Sequence, residues 1–456
     1  MSENKIYLVD EDSLKYLADT IRLQSDNENE MVFPDEFISE IDNIEPTNLS
    51  CDLDTFLEGG SSTFTSVAET INHGFMGSWY TEMYFPKATS VATNAFAASL
   101  VSKIYLPKAA DITGAFVQCE NLTDFYIPSA TNIYSAFAYC TGLQKISAPK
   151  AVDLRLAFYG CTSLTDVYVP RAKTLNGTFA YCQELTNIDL PNVEETTQQD
   201  FAYCTKLEKV NAPKLKTISE SAFYECSSLK EVHIPSATSI GKFAFWHATE
   251  LEEVDFPLAE SIEGNAFNGC TKLKIVNFPK VKSVNSSSFY NVYSITSANF
   301  ASLEYIPESM FYGMPLETII LEKVYEIGAN AFFDCTMLKK IDLPSSVVQI
   351  GTSAFAGCTS LESIDIPSGV TDIAYDIFNG CTSLSTLILR SDILCSVTQS
   401  SISETAVSNG SGYIYVPSSL IEDYRLDSIW GKYALRILED YTVDGTVTGE
   451  FDFSKI

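Results

Sequence analysis

Apolar residues along this chain return in a fixed order. A small residue is followed by Phe, two variable positions, a Cys or similar small residue, two more variable positions, and then Leu-x-x-Ile-x-Ile-Pro. Residues 354–367, Ala-Phe-Ala-Gly-Cys-Thr-Ser-Leu-Glu-Ser-Ile-Asp-Ile-Pro, show it in full. The Phe of successive copies runs from Phe75 through Phe96, Phe116 and Phe137 to Phe378, giving fifteen copies spaced 20 to 23 residues apart. A repeat of that period signals stacked supersecondary units. Leu-x-x-Ile-x-Ile puts apolar side chains on one side of a short strand. The Pro that follows has no N–H to continue a ladder. Such a strand cannot bury its apolar face alone, so stacked copies are expected to form a parallel sheet over a continuous core, with Phe and the small residue before it filling that core from the opposite wall. A second extended segment is expected after each Pro, as in Val347–Ile350 and Val370–Ile373.

The stretches outside the repeat carry other patterns. Asp10 to Ile21 reads as an amphipathic helix with Leu14, Leu17, Ala18 and Ile21 on one face. Pro34 suits the first turn of a second helix ending near Ile44. Residues 46–74 read as a linker and N-terminal cap, with Gly59-Gly60-Ser61-Ser62 as a turn. Past the repeats, residues 390–410 close the last coil, Tyr413–Pro417 forms a last strand, and Ser418 to Leu438 has a helical pattern. The expected organisation is a helical head at 1–45, a linker and cap at 46–74, a solenoid at 75–389, and a C-terminal cap and tail at 390–456.

The repeat resembles the BspA-type (Treponema-like) leucine-rich repeats of bacterial and protozoan surface proteins, over roughly Phe75 to Leu389. The resemblance implies a right-handed leucine-rich-repeat solenoid with a mixed C-terminal cap. Residues Ser13–Arg22 and Val32–Ile41 resemble a short head found on phage minor structural proteins. That implies an assembly element contacting virion partners through residues 1–45. A plain cap over the first open repeat explains the same residues.

Composition narrows the function. Against 29 Lys and Arg stand 59 Asp and Glu, a net charge of −30, which repels nucleic acid and anionic lipid heads. No nucleic-acid partner and no membrane insertion are expected, because no apolar run reaches the 18 residues that signal a spanning helix. The N-terminus lacks the basic region and apolar core of a Sec signal, so a virion or the cell exterior is expected without that route. Ten of twelve Cys fall in one structural column. Their Cβ atoms would lie about 4.8 Å apart, one strand spacing and longer than a relaxed disulfide allows, so a ladder of buried thiols is expected. There is no Cys-x-x-Cys or Cys/His cluster for a metal, no phosphate loop, and no nucleophile at motif spacing from His73, His233 or His247. No cofactor and no enzymatic activity are expected.

Binding is the better reading. The position between the last two apolar residues of each strand points out of the sheet. It reads Tyr84, Tyr105, Tyr126, Ser147, Tyr168, Asp189, Asn211, His233 along successive copies. The preceding outward column alternates in charge, with Glu82, Lys103, Asp124, Lys145 and Asp166. Tyrosine offers wide contact area with a polar tip, which suits a protein or glycan ligand. It is also a good strand residue that stacks on its neighbours. The candidate face is therefore Tyr84, Tyr105, Tyr126, Tyr168, Asp189 and His233. A second aromatic set, from Tyr139, Tyr159, Tyr181 and Tyr203 to Tyr312, falls just after the repeat Phe and is expected on a loop edge, packing between coils. The function expected is non-enzymatic recognition or adhesion, in a phage structural protein facing a bacterial surface ligand or in a bacterial adhesin binding host protein or glycan.

Overall fold

The structure is a computed structural model that describes Thr20–Ile21 and residues 63–440. The chain forms two compact units, Met1–Pro213 and Lys214–Ile456. Each is a parallel-strand solenoid built from the repeat.

In the first unit the Leu-x-x-Ile-x-Ile segments become three-residue strands in parallel register. Asp124–Tyr126 pairs with Lys145–Ser147, which pairs with Asp166–Tyr168. Asn187–Asp189 pairs with Lys209–Asn211. Ile127 N–H still donates to the Ser147 carbonyl at 3.0 Å, and Pro128 then ends the ladder. The post-Pro segments make a second wall: Thr70–Ile71 pairs with Ser90–Val91, and single bridges carry it on through Asp111, Asn132, Asp153, Thr174 and Glu195.

The Phe wall bonds coil to coil as well. Around Phe137, alternate residues Ser135, Phe137 and Tyr139 donate their N–H to Arg155, Ala157 and Tyr159 at 2.9, 2.9 and 2.6 Å. Ser135 and Tyr139 reach this geometry through left-handed backbone, φ 52° and 60°. Such corners turn the chain around each Phe ring and aim every second N–H at the next coil. In the Phe137 coil all three walls thereby bond their backbone to a neighbour.

The core is a column of rings. Phe96, Phe116, Phe137, Phe158, Phe179 and Phe201 follow one another at centroid distances of 4.9, 5.5, 5.8, 5.5 and 5.3 Å, nearly parallel. In the second unit Phe223, Phe245, Phe267 and Phe289 repeat this at 5.1, 5.2 and 5.4 Å. Beside each column runs the cysteine ladder. Cys140, Cys161 and Cys204 donate from Sγ to the carbonyls of Phe116, Phe137 and Phe179 at 3.0 Å each. Cys335 and Cys358 do the same to Phe311 and Phe332 at 3.1 Å. All eleven described cysteines are free and buried. Burial pushes the thiols of Cys161, Cys182, Cys204 and Cys270 up, and that of Cys335 to about 12. The native chain is expected to leave these eleven thiols unreactive towards a thiol reagent and to release all of them on unfolding without reductant. A shortfall on unfolding would mean that bridges exist.

The small residue before each Phe is usually Ala. Thr178 takes the place in one coil and donates to the Leu154 carbonyl at 3.1 Å. Asp200 takes it in the next and is fully buried.

The second unit continues the pattern. Glu253–Asp255, Ile275–Asn277, Ser297–Asn299 and Thr318–Ile320 form one parallel sheet. Lys340–Ile341, Ser363–Ile366, Thr386–Leu389 and Tyr413–Val416 form another. The expected segments after Pro344 and Pro367 are the strands Gln349–Ile350 and Asp372–Ile373.

Ahead of the first counted copy, Thr63–Ser66 already pairs in parallel with Glu82–Tyr84, so coil geometry is present within the stretch read as linker and N-terminal cap. At the C-terminus the long helix is absent. A single helix, Ile421–Leu426, ends at Asp427, whose carboxylate accepts from the N–H groups of Ile429 and Trp430 at 2.8 Å each. That turn drives Trp430 into the core, where its indole N–H donates to the Cys395 carbonyl at 2.8 Å. The apolar residues Leu435 and Ile437 belong to a further strand, Leu435–Ile437, paired in parallel with Tyr413–Val416. The strand from Tyr413 is therefore not the last, and it is this added strand that covers its edge. Thr20–Ile21, at the end of the first expected helix, pairs antiparallel with Thr65 and Ser66. The rest of the helical head, and the tail from 441 onward, lie outside the described residues.

Candidate binding surface

Strand alternation sends the even members of each three-residue strand inward and leaves two columns outside. In the first unit the outer column divides into two environments. Tyr84 and Tyr105, in register with each other, are buried, at 3% and 8% exposure. The Tyr84 hydroxyl donates to the Glu82 carboxylate at 3.3 Å, and Glu82 pairs with Lys103 at 3.3 Å. Burial, with Glu82 adding to it, pushes the Tyr84 phenol well up. These two rings are packed among their neighbours, which corrects their placement on an open face.

Tyr126 and Tyr168 are different. Their exposure is 56% and 58%, and neither ring makes a hydrogen bond, ion pair or ring contact among the described residues. Ser147 lies between them in register. Alongside run Asp124, Lys145 and Asp166, all exposed, with Lys145 Nζ 3.9 Å from the Asp166 carboxylate. Beyond Tyr168 the column continues with exposed Asp189, which accepts from the Asn211 amide at 2.7 Å. The structure thus groups Tyr126, Tyr168 and Asp189 of the six candidates on one solvated strip.

His233 belongs to the second unit. It is exposed and lies beside Asp255, on the neighbouring strand. From Asp255 an amide chain runs onward: Asn277 donates to Asp255 at 2.7 Å and Asn299 donates to Asn277 at 2.8 Å. That column is satisfied within itself. Burial raises the Asp255 carboxyl while the Asn277 bond and His233 oppose the shift.

The loop-edge aromatics are occupied with each other. Tyr139 meets Tyr159 edge to face at 5.3 Å, Tyr159 meets Tyr181 at 5.5 Å, and Tyr181 stacks on Tyr203 at 4.7 Å. The one-residue shift of Tyr159 has a cause. Its neighbour Gly160 holds the left-handed corner at φ 73°, and a Cβ there would meet the Tyr139 ring at 2.8 Å. These rings join coils, as their spacing after Phe implies. Pattern reading did not foresee the ion-pair columns, such as Lys206–Glu184 at 2.6 Å and Lys274–Glu252 at 2.9 Å, which join residues 22 apart. Their signal was present as opposite charges one repeat apart. Exposed pairs of this kind add little stability.

Among the described residues no group of three or more His, Cys, Asp or Glu is placed to hold a metal, and no helix is long and apolar enough to cross a membrane. His247 Nδ1 lies 3.0 Å from Glu225, with no nucleophile in that pair.

Among solved structures the chain is similar to a leucine-rich repeat protein from Bacteroides ovatus, at 24% identity and a TM-score of 0.42, covering 72% of this chain and 88% of that one. It is also similar to a leucine rich cell surface protein from Faecalibacterium prausnitzii, at 25% identity and a TM-score of 0.34, covering 73% and 86%. A third is an internalin from Listeria monocytogenes, at 14% identity and a TM-score of 0.29, covering 73% and 94%. No curated protein matches. The family described as the BspA type leucine rich repeat region matches in six copies, across residues 61–154, 154–273, 197–315, 238–335 and 304–422. With the stacked Phe column and the parallel three-residue strands, that match establishes that the chain belongs to the BspA-type leucine-rich-repeat family.

Proposed function

We propose that the chain is a non-enzymatic recognition module whose ligand docks on the outer sheet face of the first unit. The observation that carries this reading is the pair Tyr126 and Tyr168, half exposed and without partners among the described residues, on a protein whose other tyrosine ladder is engaged with itself. An aromatic ring held on a strand loses little entropy when it is covered, so such rings carry more binding energy than their number suggests. In the phage reading, residues 13–41 anchor the protein in a virion and the solenoid faces a bacterial surface. The second reading, a bacterial cell-surface adhesin for host protein or glycan, is favoured by the family match, since repeats of this type serve surface proteins.

Both readings are tested with one fluorescently labelled full chain and its Tyr126→Ala/Tyr168→Ala variant, on immobilised bacterial cells and on epithelial monolayers. The variant is expected to bind at least about tenfold more weakly at unchanged melting temperature, since each tenfold corresponds to only about 1.4 kcal/mol. Binding to bacteria alone supports the phage setting, and binding to epithelium alone the adhesin. Equal binding by wild type and variant refutes the sheet face as the docking site.

A further inference from the structure

The proposed face has a repeat length of its own. Tyr126, Ser147 and Tyr168 sit in register on three consecutive parallel strands, so the two rings recur every second strand, about 10 Å apart. Tyrosines on adjacent strands would cover each other, as Tyr181 and Tyr203 do at 4.7 Å. The serine between Tyr126 and Tyr168 leaves each ring open.

An extended β-1,4-linked glycan has a matching period. Each sugar is flipped relative to the one before it, so the same pyranose face returns once per disaccharide, a length close to two strand spacings. The C–H face of a pyranose is the complement of an aromatic ring's negative face. With alternate sugars on Tyr126 and Tyr168, the flipped sugar between them lies over Ser147, which adds no bulk and offers a hydroxyl. The carboxylates of Asp124 and Asp166 flank this line as acceptors for sugar hydroxyls, and the Asp189–Asn211 pair extends it past Tyr168. Two carboxylates against the single Lys145, on a chain of net charge −30, disfavour an acidic polysaccharide.

Resting on the sheet face as the docking site, we propose that this strip binds a neutral, extended β-1,4-linked glycan running across the strands, with alternate sugars stacked on Tyr126 and Tyr168. The test titrates the full chain with chitohexaose, cellohexaose and maltohexaose by calorimetry. At least one of the two β-1,4-linked hexasaccharides is expected to bind and the α-1,4-linked maltohexaose, which curls, is not. The trisaccharide of the binding series should retain most of the affinity, because its first and third sugars reach both rings. The disaccharide should lose at least tenfold. Tyr126→Ala and Tyr168→Ala should each lose at least tenfold, while Tyr126→Phe and Tyr168→Phe, which keep the stacking face, and Tyr181→Ala on the loop edge should bind as wild type. The phenylalanine variants also guard against loss of fold. The proposal is overturned if maltohexaose binds equally, if the alanine variants bind unchanged, or if neither β-1,4-linked hexasaccharide binds. In the last case, a cell-binding loss in the double alanine variant leaves the docking face standing and removes only the glycan.

Discussion

Asp200→Ala is expected to stabilise the first unit, by an amount that grows with pH. Asp200 occupies the core position before Phe201 that most coils give to Ala. No hydrogen bond of good geometry reaches either carboxyl oxygen, although the backbone amides of Thr178, Thr197 and Gly177 lie close enough to oppose the effect of burial. Desolvation dominates and pushes the carboxyl up to about 7. The folded state therefore keeps a proton that the unfolded chain loses near its ordinary value of 3.8. Between these values the unfolded state binds fewer protons, so stability is fully present below the lower value and falls as pH rises through the upper one. A shift of that size corresponds to a loss of about 4 kcal/mol between pH 4 and pH 8. Alanine removes this loss, so the advantage of Asp200→Ala over wild type should widen by about that amount across the same range. Asp200→Asn should abolish the pH dependence too, since it cannot ionise. The measurement is amide hydrogen exchange of residues 178–204, corrected for intrinsic rates, because coils in a solenoid open locally. An advantage that stays constant with pH would show that Asp200 does not hold its proton in the core.

Much of this was legible from spacing alone. Phe at every twentieth to twenty-third position has no use except as a column, and the rings do stack at about one strand spacing. The Cys column followed from the same count, although its partners, the Phe carbonyls of the preceding coil, depend on where each corner turns. Alternation identified which side of a strand Tyr84 and Tyr105 occupy, but it carries no information on what lies over that side, and both are buried. The C-terminal helix failed for a related reason. Leu420, Ile421 and Tyr424 fit a helical face, but Asp427 captures two backbone N–H groups and hands Leu435 and Ile437 to a strand. Asp200 stood in plain view in the small-residue column. Only burial distinguishes it from the exposed carboxylates around it.

Phe137→Ala should open its part of the stack by about 3–5 kcal/mol, the usual result of emptying a fully buried aromatic site. The ring is held between Phe116 at 5.5 Å and Phe158 at 5.8 Å, with Phe125 edge-on at 5.2 Å, so its removal strips contacts from three other rings. The walls of the gap cannot collapse inward. The backbone of Phe137 is pinned to the following coil through its N–H to the Ala157 carbonyl and through the Cys161 thiol to its own carbonyl at 3.0 Å. Cys161 supplies the readout, because a thiol reagent reaches it only when that coil opens. A loss of 3–5 kcal/mol raises its reaction rate by roughly two hundred to several thousand fold when opening is a rapid pre-equilibrium. Phe137→Leu, which refills most of the space, should raise it far less. Each coil touches mainly its neighbours, so Cys140 and Cys161 should accelerate together while Cys204, two repeats beyond Cys161, changes much less. Equal acceleration of all three thiols would mean that the first unit opens in a single step, and would refute an account in which each repeat is held mainly by the two beside it.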